Sequence, residues 1–192
     1  MSKMSKIILN EDGTVKEIPA LGIDALLYSE VKVEGNGTIK DMYAQRFLVT
    51  QDLYKSVTGQ NPSFNKSSGK LPVESLTWVD AVKFCNKLSE IAGFEPAYVI
   101  PTDGDYKKIT MNMNANGYRM PTVEEMKFLA KGGIKSKGYK YAGSNNPDEV
   151  AWTGNNSDNH THEVGELLPN ELGIYDTMGN VWKMCNDNLE EE

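Results

Sequence analysis

The sequence predicts an α+β domain in which short strands and a few capped helices are outnumbered by irregular chain. Three observations lead there. The first quarter holds short apolar runs broken by Asp-Gly and Asn-Gly, three later segments carry helix start and stop signals, and residues 135–169 show neither periodicity. A length of 192 residues fits one domain with a sizeable core, and 39% hydrophobic and 24% charged residues with 17 Gly and 8 Pro describe a loop-rich globular chain.

Taken in order, "KIILNEDGTVKEI" and "ALLYSEVKVEGNGTI" read as hairpin material, with Asp12-Gly13 and Asn36-Gly37 supplying the positive φ of the turns. Thr50 caps the short helix "QDLYKSVT", in which Leu53, Tyr54 and Val57 share a face, and Gly59 stops it. Thr77 and Asp80 form a capping-box pattern before "WVDAVKFCNKLSEIAG". There Trp78, Ala81, Val82, Cys85, Leu88 and Ala92 recur at helical spacing up to Gly93. The stretch "AYVIPTDGDYKKITMNMNANGYRM" reads as a hairpin turning at Asp103-Gly104. Behind Pro121, Thr122 and Glu125 start a third helix that faces Met126, Leu129 and Ala130 inward and closes at Gly132-Gly133. An irregular stretch as long as 135–169 usually carries function or is organised by a ligand or metal.

A net charge of −7 and scattered basic residues argue against a nucleic-acid partner, because phosphate binding needs clustered Lys and Arg. The densest group, Lys131, Lys135, Lys137 and Lys140, is interleaved with glycines and reads as a solvated loop. The N-terminal stretch has only three consecutive apolar residues, far short of a signal-peptide core or a membrane span, so a cytoplasmic protein with no membrane partner is expected. Cys85 and Cys185 lack metal-type spacing, and Cys85 sits on an apolar helix face as a packed thiol would. His160 and His162, with Asp158 and Glu163 beside them, would share one side of a strand, which suits a transition metal or a solvated turn. Asn155, Asn156, Asp158 and Asp176 are oxygen donors of the kind calcium takes from irregular backbone, or else turn-stabilising side chains.

Four stretches carry a family resemblance: "LVTQDLYKSVTGQNPS", "LPVESLTWVDAVKFCNKLS", "NGYRMPTVEEMKFLAKGG" and "AWTGNNSDNHTHEVGELLPNELGIYDTMGNVW". From Ile39 to Asp187 the chain resembles the formylglycine-generating enzyme family, or sulfatase-modifying factor domain, a variant of the C-type lectin fold. The resemblance implies a C-type lectin-like α+β domain with two main helices, short antiparallel strands and long loops held by packing and bound calcium. It divides the chain into a β-rich extension (1–38), the domain (39–187) and an acidic tail (188–192).

That family includes a copper-dependent oxidase of cysteine-containing peptides, iron enzymes and non-enzymatic binding proteins, so membership leaves function open. Its members continue beyond Gly-Asn-Val-Trp to a segment bearing the oxidase's copper-binding cysteines, which this sequence lacks before Glu192. Neither Cys85 nor Cys185 matches those cysteines; no catalytic residue carries over and copper is not expected. The expectation is a shortened, non-catalytic binding or structural module with a protein partner or self-association. The alternatives are a metal-dependent oxidase relying on His160 and His162, and a viral or mobile-element adhesion protein carried on a virion.

The resemblance also implies two calcium sites. One would use Asp176, the carbonyls of Gly179 and Val181, and a carboxylate where this sequence has Lys183. A lysine there predicts an ammonium standing in for the ion and paired with Asp176. The other falls around Asn155 to Asp158, with Asn156 the first candidate, and calcium is expected at one site only.

Overall fold

Regular structure is sparse, and each helix starts where its sequence places a cap. The computed structural model describes residues 8–9, 15–17 and 29–189. Strand β1 (Ile8–Leu9) pairs antiparallel with β2 (Val15–Glu17). The turn expected at Asp12-Gly13 lies outside the described residues.

Strand β3 (Glu30–Val33) pairs antiparallel with β4 (Met42–Gln45), Glu30 opposite Gln45. Alternation sets its faces, with Val31 and Val33 buried and Lys32 exposed between them. Asn36-Gly37 lies in a loop, 34–41, wider than a tight hairpin turn. The Asn36 amide oxygen accepts the N–H groups of Thr38 and Ile39 at 3.1 and 2.9 Å, and Gly37 supplies φ 95°.

Helix α1 (Gln51–Thr58) begins with Thr50 Oγ1 accepting from Leu53 N–H and ends at left-handed Gly59. Helix α2 (Trp78–Ala92) has the full Thr77–Asp80 capping box and ends at left-handed Gly93. The two pack together through Leu53, Tyr54 and Val57 against Val82, Phe84, Cys85 and Leu88, with the Tyr54 and Phe84 rings stacked at 5.2 Å. Strands β5 (Tyr98–Val99) and β6 (Thr110–Met111) form the next antiparallel pair, and Tyr98, Ile109 and Met120 complete the main core. Helix α3 (Val123–Ala130) opens with the Thr122–Glu125 box and places Leu129 with Val31, Val33 and Ile174 in a smaller second core.

Residues 135–169 are largely irregular, as the composition predicts. Within them β7 (Ala151–Trp152) pairs in parallel with β8 (Met178–Gly179), a contact too short and too distant in sequence for periodicity to reveal. Buried side chains satisfy backbone groups that no ladder reaches. Gln51 donates to the Asn65 carbonyl at 2.7 Å and accepts from Asn61 at 2.8 Å. Asn170 donates to the Leu129 carbonyl at 2.7 Å and accepts the N–H groups of Leu172 and Ile174. Among the described residues no helix is long and apolar enough to cross a membrane.

Because the Thr122 hydroxyl takes the Glu125 N–H at 3.1 Å, Thr122→Ala leaves that donor without its cap. A loss of about 1 kcal/mol is expected, read as a lower urea midpoint with an unchanged m-value.

Candidate functional site

A groove of about 1590 Å³ runs between β4, the segments 47–49, 64–66 and 72–76, the 117–126 segment and the 174–184 turn. Its walls and floor are mainly apolar, including Phe47, Leu76, Phe84, Met120, Val181 and Met184. Phe47 stacks on Tyr175 with ring centroids 5.0 Å apart. Three aromatic rings stand at its edge in solvent: Trp182 is 100% exposed, Phe64 93% and Tyr43 70%. Cys85 contributes to the floor, where burial pushes its thiol up to about 12 and keeps it protonated at neutral pH. Cys185 is also buried, and burial followed by the Asp187 charge raises its pKa.

Polar groups interrupt the apolar lining, and the most tightly bonded of them are Arg119 and Glu125. Arg119 donates from both terminal nitrogens to the two Glu125 oxygens, each at 2.7 Å, and Glu125 also accepts the Thr122 N–H at 2.9 Å. Burial by itself would raise the Glu125 pKa; the Arg119 and Thr122 hydrogen bonds outweigh it and hold the carboxyl below its ordinary value. Next to it Tyr118 donates to Glu30 at 2.8 Å, and burial, then that carboxylate, pushes the phenol upward.

The sequence-predicted residues Asp176 and Lys183 both line the groove from the 176–183 turn, but the direct ion pair expected between them is not formed, because the ammonium is turned to a backbone carbonyl instead. Asp176, Gly179 and Asn180 all have positive φ, at 52°, 70° and 61°. Asp176 is buried, accepting the Gly165 N–H at 2.8 Å and a longer bond from Asn180 at 3.4 Å. The Lys183 ammonium donates to the Gly179 carbonyl, which also accepts the Val181 N–H at 2.8 Å. Burial raises the Asp176 carboxyl and lowers Lys183 to about 8, while the attraction between the two charges works against both shifts. The direct contact of Lys183 is thus with the Gly179 carbonyl, and Asp176 is felt through its field. A donor set that already contains an ammonium on its carbonyl oxygen does not fit a divalent cation.

Asn156 is a clasp for its own loop. Its amide oxygen accepts from the N–H and hydroxyl of Thr153 at 2.7 and 3.1 Å, and its amide nitrogen donates to the Ala151 carbonyl and Asp148. Asn155 and Asp158 are exposed, and Asp158 has φ 50°. The two histidines are engaged separately. His160 bonds through its ring to the Asp158 carbonyl, whereas His162 stacks on Trp152 at 3.7 Å and pairs with the Ser157 carbonyl and Glu166. Among the described residues no three His, Cys, Asp or Glu side chains converge as a metal cluster.

Residue types gave no sign of the groove itself. The Arg119–Glu125 pair was detectable in part, since Glu125 belongs to a capping box and Arg119 to the quoted Tyr-Arg-Met-Pro-Thr stretch. Asn180, which bonds to the N–H and carbonyl of His162, each at 3.0 Å, had no sequence signal beyond its motif.

A turn-rich α+β body with these motifs defines a class of protein, and the profile of the sulfatase-modifying factor enzyme 1-like domain matches residues 28–192. The chain belongs to that family. The match starts ahead of residue 39, so β3 and β4 both fall within it. Chaperone protein LppX of Paenibacillus barcinonensis is 42% identical over 178 residues, covering 78% of this chain. The chain spans 63% of that relative's length. The crystal structure of CarF superposes with a TM-score of 0.72 at 28% identity, covering 82% of this chain and 79% of that one. Treponema denticola variable protein 1 gives 0.65 at 29% identity, covering 82% and 72%.

Two consequences of the Arg119–Glu125 pair are measurable. Arg119→Met strands a buried carboxylate and is expected to cost about 3–5 kcal/mol in urea unfolding. Because the folded Glu125 pKa lies below 4.5, its stabilising contribution is complete above that value and is lost as pH falls through the folded pKa. Glu125→Gln should therefore flatten the acid limb of a stability-versus-pH curve.

Proposed function

We propose that the protein is a non-catalytic binding module that captures an extended, apolar segment of a partner polypeptide in the groove beside Trp182. The observation that carries this reading is the large, mainly apolar groove with exposed aromatics at its edge, a surface that domains seldom leave without a use. Exposed tryptophan and tyrosine are the residues that most often dominate binding energy at protein interfaces. Strand β4 lines the groove and, among the described residues, pairs only with β3, so its second edge offers backbone groups to an extended chain.

The chaperone name of the LppX relative supports a polypeptide as occupant. The oxidase alternative is less well supported. The groove's Cys85 thiol is held protonated by burial, and His160 and His162 bind different internal partners.

The test is fluorescence titration of the full chain with a synthetic ten-residue peptide alternating Val and Lys, against an all-Ser control. Saturable binding of the Val-Lys peptide alone, weakened about 30-fold by Trp182→Ala, is the expected result. Equal responses to both peptides, or unchanged affinity in Trp182→Ala, would overturn the reading. So would a sedimentation profile in which a second copy occludes the same face, or oxygen uptake with a cysteine peptide after copper loading.

A further inference from the structure

The 176–183 turn poses an electrostatic problem that the groove does not explain. Asp176 is only 6% exposed, yet among the described residues its carboxylate has one close donor, Gly165 N–H at 2.8 Å, and one long one from Asn180 at 3.4 Å. An ionised carboxylate has about four acceptor positions, and burying one with so few donors is costly unless a positive charge lies close by. The turn is also anchored and unable to drift toward water. Gly179 pairs with Trp152 in β7–β8, the Trp152 carbonyl takes the Asn180 N–H at 2.8 Å, and a Cβ on Gly179 would fall 2.1 Å from that same carbonyl.

A buried carboxylate beside inward carbonyl oxygens on a turn of positive φ is the chemistry of a hard-cation site. Here the Gly179 carbonyl oxygen is already taken by the Lys183 ammonium. We propose that Lys183 is the built-in cation of this turn: its ammonium occupies the place of a divalent ion at the Gly179 carbonyl and compensates Asp176, so the turn holds its shape without metal. A carboxylate at position 183 would then open the same turn to calcium. Trp182 adjoins Lys183, so the groove edge is tied to a cation that chelators cannot remove.

Thermal unfolding of the full chain in EDTA and in millimolar calcium chloride tests it, with wild type, Lys183→Glu, Lys183→Gln and Lys183→Arg compared. Wild type should unfold at one temperature in both buffers. Lys183→Glu should melt lower in EDTA and regain about 5 °C or more in calcium, with saturable binding by calorimetry. Calcium stabilisation of wild type equal to that of Lys183→Glu, or a folded Lys183→Glu indifferent to calcium, would overturn the proposal. Should Lys183→Glu fail to fold in either buffer, the neutral variant decides. Lys183→Gln should melt below wild type whether or not calcium is present, with Lys183→Arg restoring most of the loss, whereas a Lys183→Gln melting point equal to wild type refutes a role for the charge.

Discussion

The bidentate contact between Arg119 and Glu125 fixes more of this molecule than any strand does. Glu125 accepts two 2.7 Å bonds from the guanidinium and the Thr122 N–H at 2.9 Å, so one buried carboxylate neutralises a half-buried cation and starts helix α3. The residues around the pair reach outward to β3, α2 and β5. Tyr118 bonds through its hydroxyl to Glu30 in β3 and through its N–H to Ser89 in α2, and the Met120 N–H reaches the Tyr98 hydroxyl in β5. From the C-terminal side, Asp187 accepts the Val123 N–H and the Asn186 N–H reaches the Pro121 carbonyl. Each bond is worth only about 1 kcal/mol net, but here they share rigid partners, and a buried ion pair contributes when its geometry leaves no unsatisfied charge.

Local chemistry was legible in the sequence and distant chemistry was not. Thr50, Gly59, Thr77 with Asp80, Gly93, and Thr122 with Glu125 delimit the helices because a cap and the groups it satisfies lie within four residues of one another. The parallel pairing of Ala151 with Met178 and the bond from Asn170 to Leu129 join residues far apart, and no spacing rule announces them. Of the two readings of His160 and His162, the turn with backbone-bonded rings is the one found, and the shared strand face is not. Alternation puts both side chains on one face only in an extended strand, and Asp158 and Asn159 immediately before them have φ of 50° and 56°. With Asn156 the residue type was informative and its partner was not, since an amide oxygen serves a Thr153 N–H as readily as an ion.

A domain with so few ladders must hold its loops by side chains, and the asparagine-rich composition reflects that need. Asn36, Asn156, Asn170 and Asn180 each bond to backbone groups, and three of the four sit in turns that include left-handed residues at Gly37, Gly173 or Asn180 itself. Asparagine suits this work because its short amide both donates and accepts, and it tolerates positive φ better than most residues. The same loops that look unstructured by periodicity are therefore dense in specific hydrogen bonds.

That density bears directly on how an exposed tryptophan could be useful. A ring carried on a mobile loop must be ordered when it binds, at a cost of about 0.5–1.5 kcal/mol for each immobilised side chain and more for the backbone that carries it. Trp182 follows a segment in which Gly179 is paired with Trp152, Asn180 is bonded to both backbone groups of His162, and Lys183 returns to the Gly179 carbonyl. The backbone on either side of the ring is thus fixed before any partner arrives, while the ring itself stays in solvent. Irregular structure tied down residue by residue gives a preorganised aromatic edge above an apolar groove, a combination that a regular strand or helix, with side chains at fixed intervals, reaches less easily.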